Sequence, residues 1–291
     1  MRIFVKKRRL NRSKGGDLAI LLILSIGGIF MALPMVYAIC QAFKPLDELW
    51  IFPPRFFVRN PTLKNFSDLF WLMSTSWVPF SRYIFNTLFI TIVGTAGHVV
   101  IASLCAFALA KHRFPGQNLI FKIVVLSLMF SPAVTNIPNY IIMARLGWVD
   151  NYAAIIVPAF AASIGLYLMK QFMEQFPDSI LESARIDGSS EWRTFWQIVM
   201  PNERPAWLTM VIFSFQYLWS QGGAGTSANV FIYSEELKTL PVSINQIMDG
   251  GFARQGAGAA VAVFMMIVPV TTFIITQSNI IETMATSGMK E

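Results

Sequence analysis

The chain has 291 residues, of which 13% are charged and 55% hydrophobic, with mean hydropathy +0.54; a soluble domain usually carries about 25% charge, so lipid is the solvent this surface suits. The formal net charge of +7 would suit nucleic acid in a soluble protein. Here the basic residues cluster at the ends of apolar runs, which membrane topology explains better, and no nucleic-acid partner is expected. Cys40 and Cys105 both fall inside apolar runs, so they offer no disulfide framework or metal site and are expected to be small buried side chains. Nothing calls for a cofactor.

The amino end, "MRIFVKKRRLNRSKGGD", makes residues 1–17 a basic segment. The apolar run that follows, 18–43, is longer than the ~7–15-residue core of a secretory signal and lacks a convincing Ala-x-Ala site, which predicts an uncleaved first span. A transmembrane helix needs roughly 20 mostly apolar residues, and five more stretches qualify: 83–110, 119–143, 151–172, 206–228 and 259–281. The predicted class is an all-α integral membrane protein with six transmembrane helices over 18–281 and a tail at 282–291. Arg2, Lys6, Lys7, Arg8, Arg9, Arg12 and Lys14 before the first span, and "KHR" at 111–113, belong in the cytoplasm by the positive-inside rule. Both termini and the segment 173–205 are then cytoplasmic, while 44–82, 144–150 and 229–258 face outward. Arg55 and Arg59 in the first outer loop make that bias imperfect.

Taken in order, the elements carry several candidate residues. Trp50, Phe52, Phe56, Phe57, Trp71, Trp77 and Phe80, before the second span, suit an interfacial aromatic belt, with sugar stacking as the alternative. His98 lies well inside the second span, where an imidazole is either functional or satisfied by a neighbouring helix, the second being the simpler reading. Pro132 and Pro138 predict a kink or break in the third span. Asn136 and Asn139 beside Pro138 would line a substrate path if the break faces it, and mending the broken helix is an equal alternative. Gln216 in the fifth span and Gln277 in the sixth carry the same two readings.

The segment 173–205 is charged in an otherwise apolar chain. "SILE", Ser179 to Glu182, has capping-box spacing and predicts a helix start; Gly188 suits the left-handed residue that ends a helix, and Ser189 or Ser190 can cap the next. Trp192, Phe195, Trp196 and Val199 then recur at helical spacing as one apolar stripe, and Pro201 disfavours continuation. The local chemistry allows an interfacial amphipathic hairpin or a docking element for a soluble partner.

Residues Glu182, Ser183, Ala184, Gly188, Ile198, Met200 and Pro201 resemble the Glu-Ala-Ala loop of the membrane subunits of binding-protein-dependent ABC importers. "FNTLFITIVGT", "ALAKHRFPGQ", "MFSPAVTNIPNYIIMARLGWVDNY" and "LMKQFMEQFPDSILESARIDG" are similar to its sugar-permease branch, in particular to the shorter membrane component of the maltose importer. The resemblance implies the type I ABC importer permease fold in a bacterial cell membrane, with Glu182, Ser183, Ala184, Asp187, Gly188, Ile198 and Pro201 coupling to an ATPase. It implies two ATP-binding subunits, a second and different permease subunit, an extracytoplasmic binding protein and a carbohydrate substrate. It also brings in Trp219 as a substrate-path candidate, although family members often have Trp-Asn there and Ser220 follows here. ATP hydrolysis belongs to a partner, because the chain has no G-x-x-x-x-G-K-[ST] phosphate loop. No H-E-x-x-H or G-x-S-x-G supports an intramembrane enzyme. An ABC permease for a non-sugar solute is the nearer alternative; an ion-coupled secondary transporter would usually carry acidic residues at membrane depth, and the spans are almost free of them.

Overall fold

The computed structural model describes residues 14–74, 78–222, 230–248, 251 and 254–287. Two compact units divide the chain, one formed by Met1–Leu69 with Ala253–Val263 and the other by Phe70–Phe252 with Phe264–Glu291. The basic residues from Arg2 to Arg12, Trp77, positions 223–229 at the outer end of the predicted fifth span, and the last four residues of the tail lie outside the described residues.

The first unit begins with α1 (Lys14–Phe43). Its apolar side chains are exposed along the length that would span a bilayer. A short α2 (Leu46–Leu49) follows, and α3 (Lys64–Ser74) begins in this unit. Three buried polar side chains tie the turn together. Lys44 Nζ donates to Arg55 O at 2.5 Å, the Glu48 carboxylate accepts from Arg59 N at 3.0 and 3.3 Å, and Asn65 Nδ2 donates to Ala42 O and Lys44 O at 2.8 and 2.7 Å. Each buried polar group thus has a partner, as burial requires. Of the aromatic residues placed in a belt, Phe52 and Phe57 are exposed in this unit, whereas Phe56 packs against Tyr37 at 5.4 Å.

In the second unit, α4 (Phe80–Lys111) is the central helix, packed by α7 (Ala153–Phe160), α8 (Ser163–Gln175) and α12 (Arg204–Trp219). Between these lie α5 (Gln117–Ser127), α6 (Pro132–Arg145), and the chain of α9 (Asp178–Ile186), α10 (Glu191–Thr194), a π-helical turn (Phe195–Val199) and α11 (Met200–Asn202). A 3₁₀ turn (Glu235–Leu237), α13 (Leu240–Met248) and the part of α14 (Gln255–Ser287) from Phe264 onward complete the order, the start of α14 belonging to the first unit. Close approach to α4 requires glycine: a Cβ on Gly97 would lie 2.1 Å from the Phe160 ring, and one on Gly165 would lie 2.3 Å from His98 Nε2.

Among the described residues four helical stretches are long and apolar enough to cross a membrane: Gly15–Phe43, Phe80–Lys111, Ala153–Gln175 and Gln255–Gln277. The predicted third span is broken, as its prolines suggested. The gap falls at 128–131, Pro132 opens α6 at a position where a missing N–H is no loss, and Pro138 lies inside α6. The fifth span is represented by the 16 residues of α12, about 24 Å at 1.5 Å per residue. An interruption not anticipated from the sequence divides the fourth span at Ala161–Ala162. Cys105 departs from expectation too: it is exposed on the outside of α4, where an apolar solvent makes burial unnecessary, and Cys40 is half-buried.

Candidate functional site

Residues 177–203 build the predicted helix, turn, helix, with two local corrections. The Ser179–Glu182 capping box does not form. Pro177 holds the N-cap, α9 starts at Asp178, and Ser179 already lies within the helix, where its carbonyl accepts from Ser183 Oγ at 2.9 Å. Glu182 is exposed and its side chain has no hydrogen bond or ion pair among the described residues. Gly188 does end α9 in the left-handed region, at φ +76°. Its N–H donates to Arg185 O at 3.0 Å and the Ser189 N–H donates to Ala184 O at 2.9 Å, the paired bonds of a Schellman turn. Ser190 caps α10, its Oγ accepting from Arg193 N at 3.3 Å.

Pro201 does not stop the helix, which is the second correction. The chain stays helical to Asn202 because the turn before the proline widens to a π turn, with the Met200 N–H donating to Phe195 O. A proline offers no N–H and its ring crowds the carbonyl four residues back; the wider turn relieves both. The widening also disperses the apolar stripe. Phe195, 1% exposed, and Val199 are buried, Trp196 and Ile198 are half-buried, and Trp192 is 63% exposed.

The buried side rests on the second unit's own helices. Leu181, Phe195, Val199 and Met200 share one core with Ala102, Ala106 and Phe107 of α4, Met169 and Met173 of α8, and Met210 of α12. Fully burying one such side chain contributes roughly 1.5–3 kcal/mol, so the hairpin is fixed to its helices rather than floating at an interface. Polar contacts add to this. Lys111, the last residue of α4, donates to Asp178 Oδ1 at 2.7 Å and to Phe176 O at 2.6 Å; the hydrogen bond and charge of its ammonium hold the Asp178 carboxyl below the usual carboxylate range. His112 Nε2 lies 3.7 Å from Glu191, which also pairs with Arg185 at 3.0 Å. Burial pushes the Glu203 carboxyl up, against the pull of the Lys111 charge. The residues 111–112 were read from sequence only as topology signals, and their second use, gripping a hairpin more than sixty positions away, left no local signature.

Of the path candidates, Asn136 of α6 lines a cavity of about 360 Å³ with Ile137, Tyr140, Val230 and Tyr233. The Tyr140 and Tyr233 hydroxyls are bonded at 2.8 Å, and the Tyr140 ring stacks on Phe231 at 6.1 Å. Asn139 is half-buried, Gln216 is exposed on α12 and Gln277 on α14. Trp219 does not join that cavity; it is buried, stacks on Phe215 at 5.9 Å and donates Nε1–H to Met265 O at 3.1 Å. His98 takes the simpler of its two readings. Nε2–H donates to Ala162 O, the N-cap carbonyl of α8 beside the break, at 3.0 Å, and Nδ1 accepts from Ser214 Oγ at 2.5 Å.

Beyond the cavity, Asp150 clasps the segment 233–234. Its carboxylate accepts from the N–H of Tyr233 and Ser234 at 3.0 and 2.8 Å and from the Ser234 hydroxyl. The Ser234 bonds hold its carboxyl below the usual range. Sequence alone gave Asp150 no role.

Over residues 98–284 the chain matches the family described as "Binding-protein-dependent transport system inner membrane component". The sn-glycerol-3-phosphate transport system permease protein UgpE of Yersinia enterocolitica is 30% identical to it over 211 residues, 72% of this chain and 74% of that one. Protein LplC of Bacillus subtilis is 34% identical over 205 residues, 68% of this chain and 65% of that one. Among solved structures, a chain from a bacterial ABC transporter involved in the import of the acidic polysaccharide alginate matches with TM-score 0.77 at 20% identity, covering 93% of this chain and 99% of that chain. That likeness is one of fold.

Proposed function

The chain belongs to the inner membrane components of binding-protein-dependent transport systems, and from that premise we propose that it is the permease subunit of an ATP-driven ABC importer. Its cargo is a carbohydrate, taken from an extracytoplasmic binding protein and released in the cytoplasm. The carbohydrate class draws support from a structural neighbour that belongs to an importer of the acidic polysaccharide alginate, while a relative named for sn-glycerol-3-phosphate transport supplies the competing non-sugar solute. An oligosaccharide is the cargo we assign.

One observation carries the ATP-driven part of this reading: the hairpin is buried on its inner side and open at its tip. Glu182, Asp187 and Gly188 are exposed there, beside Ile186 at 86% exposure. An exposed isoleucine next to a carboxylate without a local partner suits a cleft on another protein. Two ATP-binding subunits supply that cleft, a second permease subunit completes the path, and both termini of this six-span chain lie in the cytoplasm. Glu182 anchors the ATPase, Ser183 and Ala184 keep the first helix slim, and Asp187 with Gly188 shapes the turn. Ile198 and Pro201 set the second helix, so that ATPase closure moves a rigid lever and the spans change access. Asn136, Asn139, Gln216 and Trp219 belong to the path or its packing.

The test is uptake by the full complex in proteoliposomes, with its binding protein, of labelled oligosaccharides and of sn-glycerol 3-phosphate, driven by ATP or by an imposed ion gradient. ATP-driven oligosaccharide uptake is expected. Uptake driven by the ion gradient alone would overturn the ATP reading, and uptake of glycerol phosphate alone would move the substrate to a non-sugar solute.

A further inference from the structure

Among the described residues, α4 is the one stretch long enough to span a membrane that has no proline in its interior; Pro34, Pro158 and Pro269 lie inside the other three. Its 32 residues make a rod of about 48 Å. Gly94 and Gly97 do not loosen it, because the Leu218 and Phe160 side chains occupy the space beside them.

Both ends of this rod are fastened to other parts of the second unit by buried polar side chains. At one end Lys111, with a side chain 6% exposed, holds Asp178 and the Phe176 carbonyl of the hairpin. Phe107 packs on Phe195 there at 5.4 Å. At the other end Asn86 is 0% exposed. Its Nδ2 donates to the carbonyls of Glu236 and Lys238, each at 2.8 Å, and its Oδ1 accepts from the Tyr152 hydroxyl at 2.6 Å. Thr87 Oγ1 accepts from Leu240 N at 2.8 Å, and the Tyr83 hydroxyl donates to Glu235 at 2.7 Å. A backbone segment held at three successive points by one helix moves with that helix.

We propose that α4 carries the movement of the hairpin to the segment 235–240 on the opposite side of the membrane, with Lys111 and Asn86 as the positioning residues that fasten its two ends. This rests on the importer reading above. It adds that ATP-side and outer-side events are linked through one unbroken helix, so that the segment 235–240 shifts whenever the ATPase closes.

In the reconstituted complex, Lys111→Met and Asn86→Leu are expected to keep ATP hydrolysis while lowering solute imported per ATP roughly tenfold, inside the ~5–150-fold span of site-to-site coupling. Lys111→Arg, which keeps the charge and donors, is expected to restore the ratio. Residues that only hold the fold would lower import and hydrolysis together; an unchanged ratio in all three variants overturns the proposal. If Lys111→Met or Asn86→Leu fails to assemble, Asp178→Ala and Tyr83→Phe each remove one bond of a fastener, and the same ratio decides. A wild-type complex without ATP-driven import of any solute defeats the importer reading and this proposal with it, and is distinguishable from a working transporter whose variants stay fully coupled.

Discussion

Replacing Gly188 tests whether the hairpin acts as a rigid lever. A Cβ at this position would meet nothing within 4 Å, so space is not the constraint and the whole cost of Gly188→Ala is conformational. Holding an L-residue at φ +76° costs roughly 1–2 kcal/mol, a factor of about 5–30 in the population of the closed turn. Asn tolerates this region better, and Gly188→Pro fails twice, since its φ is fixed near −65° and it loses the N–H that reaches Arg185 O. Amide hydrogen exchange at Ser189, whose N–H closes the turn onto Ala184 O at 2.9 Å, reads the turn directly. Exchange is expected to quicken in the order wild type, Gly188→Asn, Gly188→Ala, with substrate-stimulated ATPase activity of the complex falling in the same order and abolished in Gly188→Pro. Slow exchange and full stimulation in Gly188→Ala would refute the reasoning, because the open space leaves no other source for the effect.

Glu182→Lys removes a carboxylate that has no partner among the described residues, so thermal stability in detergent should stay within about 0.5 kcal/mol of wild type while stimulated ATPase activity is lost; a large stability loss would make Glu182 a structural residue. Gly97→Leu forces a side chain into the Phe160 ring, 2.1 Å from its Cβ position, and overpacking of this kind typically costs about 1–3 kcal/mol, read as a lower unfolding temperature. For Asp150 the folded carboxyl is held below its ordinary value, so its contribution is present above the unfolded pKa near 3.9 and is lost as pH falls through the lower folded value. Protection of the 231–234 segment from proteolysis should therefore persist at pH 5 and above, fade only below about pH 4, and be weak at all pH values in Asp150→Ala.

Periodic and local features were the legible part of this chain. Apolar run length found α1, α4 and α14, the prolines located the break before α6, and Gly188 with Ser190 marked the hairpin turn, because each rests on chemistry within a few residues. The failures share a cause. Ser179 had the right spacing for a cap, but Pro177 and the pull of distant Lys111 on Asp178 set the helix start instead. Pro201 looked like a stop, and the π turn at Phe195–Val199 absorbed it. The break at Ala161–Ala162 has no proline at the gap and is stabilised by His98, sixty-four positions away. The contact of Trp219 with the carbonyl of Met265 likewise depends on α14, which arrives last in the chain.

The central claim is that the open tip of the hairpin seats in an ATPase subunit. A photoreactive amino acid at Ile186, the 86%-exposed side chain beside Gly188, tests it in the assembled complex within membranes. The account predicts a crosslink to the ATP-binding subunit whose yield changes between nucleotide-free and ATP-bound states. Crosslinking to lipid alone, as an interfacial hairpin would give, contradicts it.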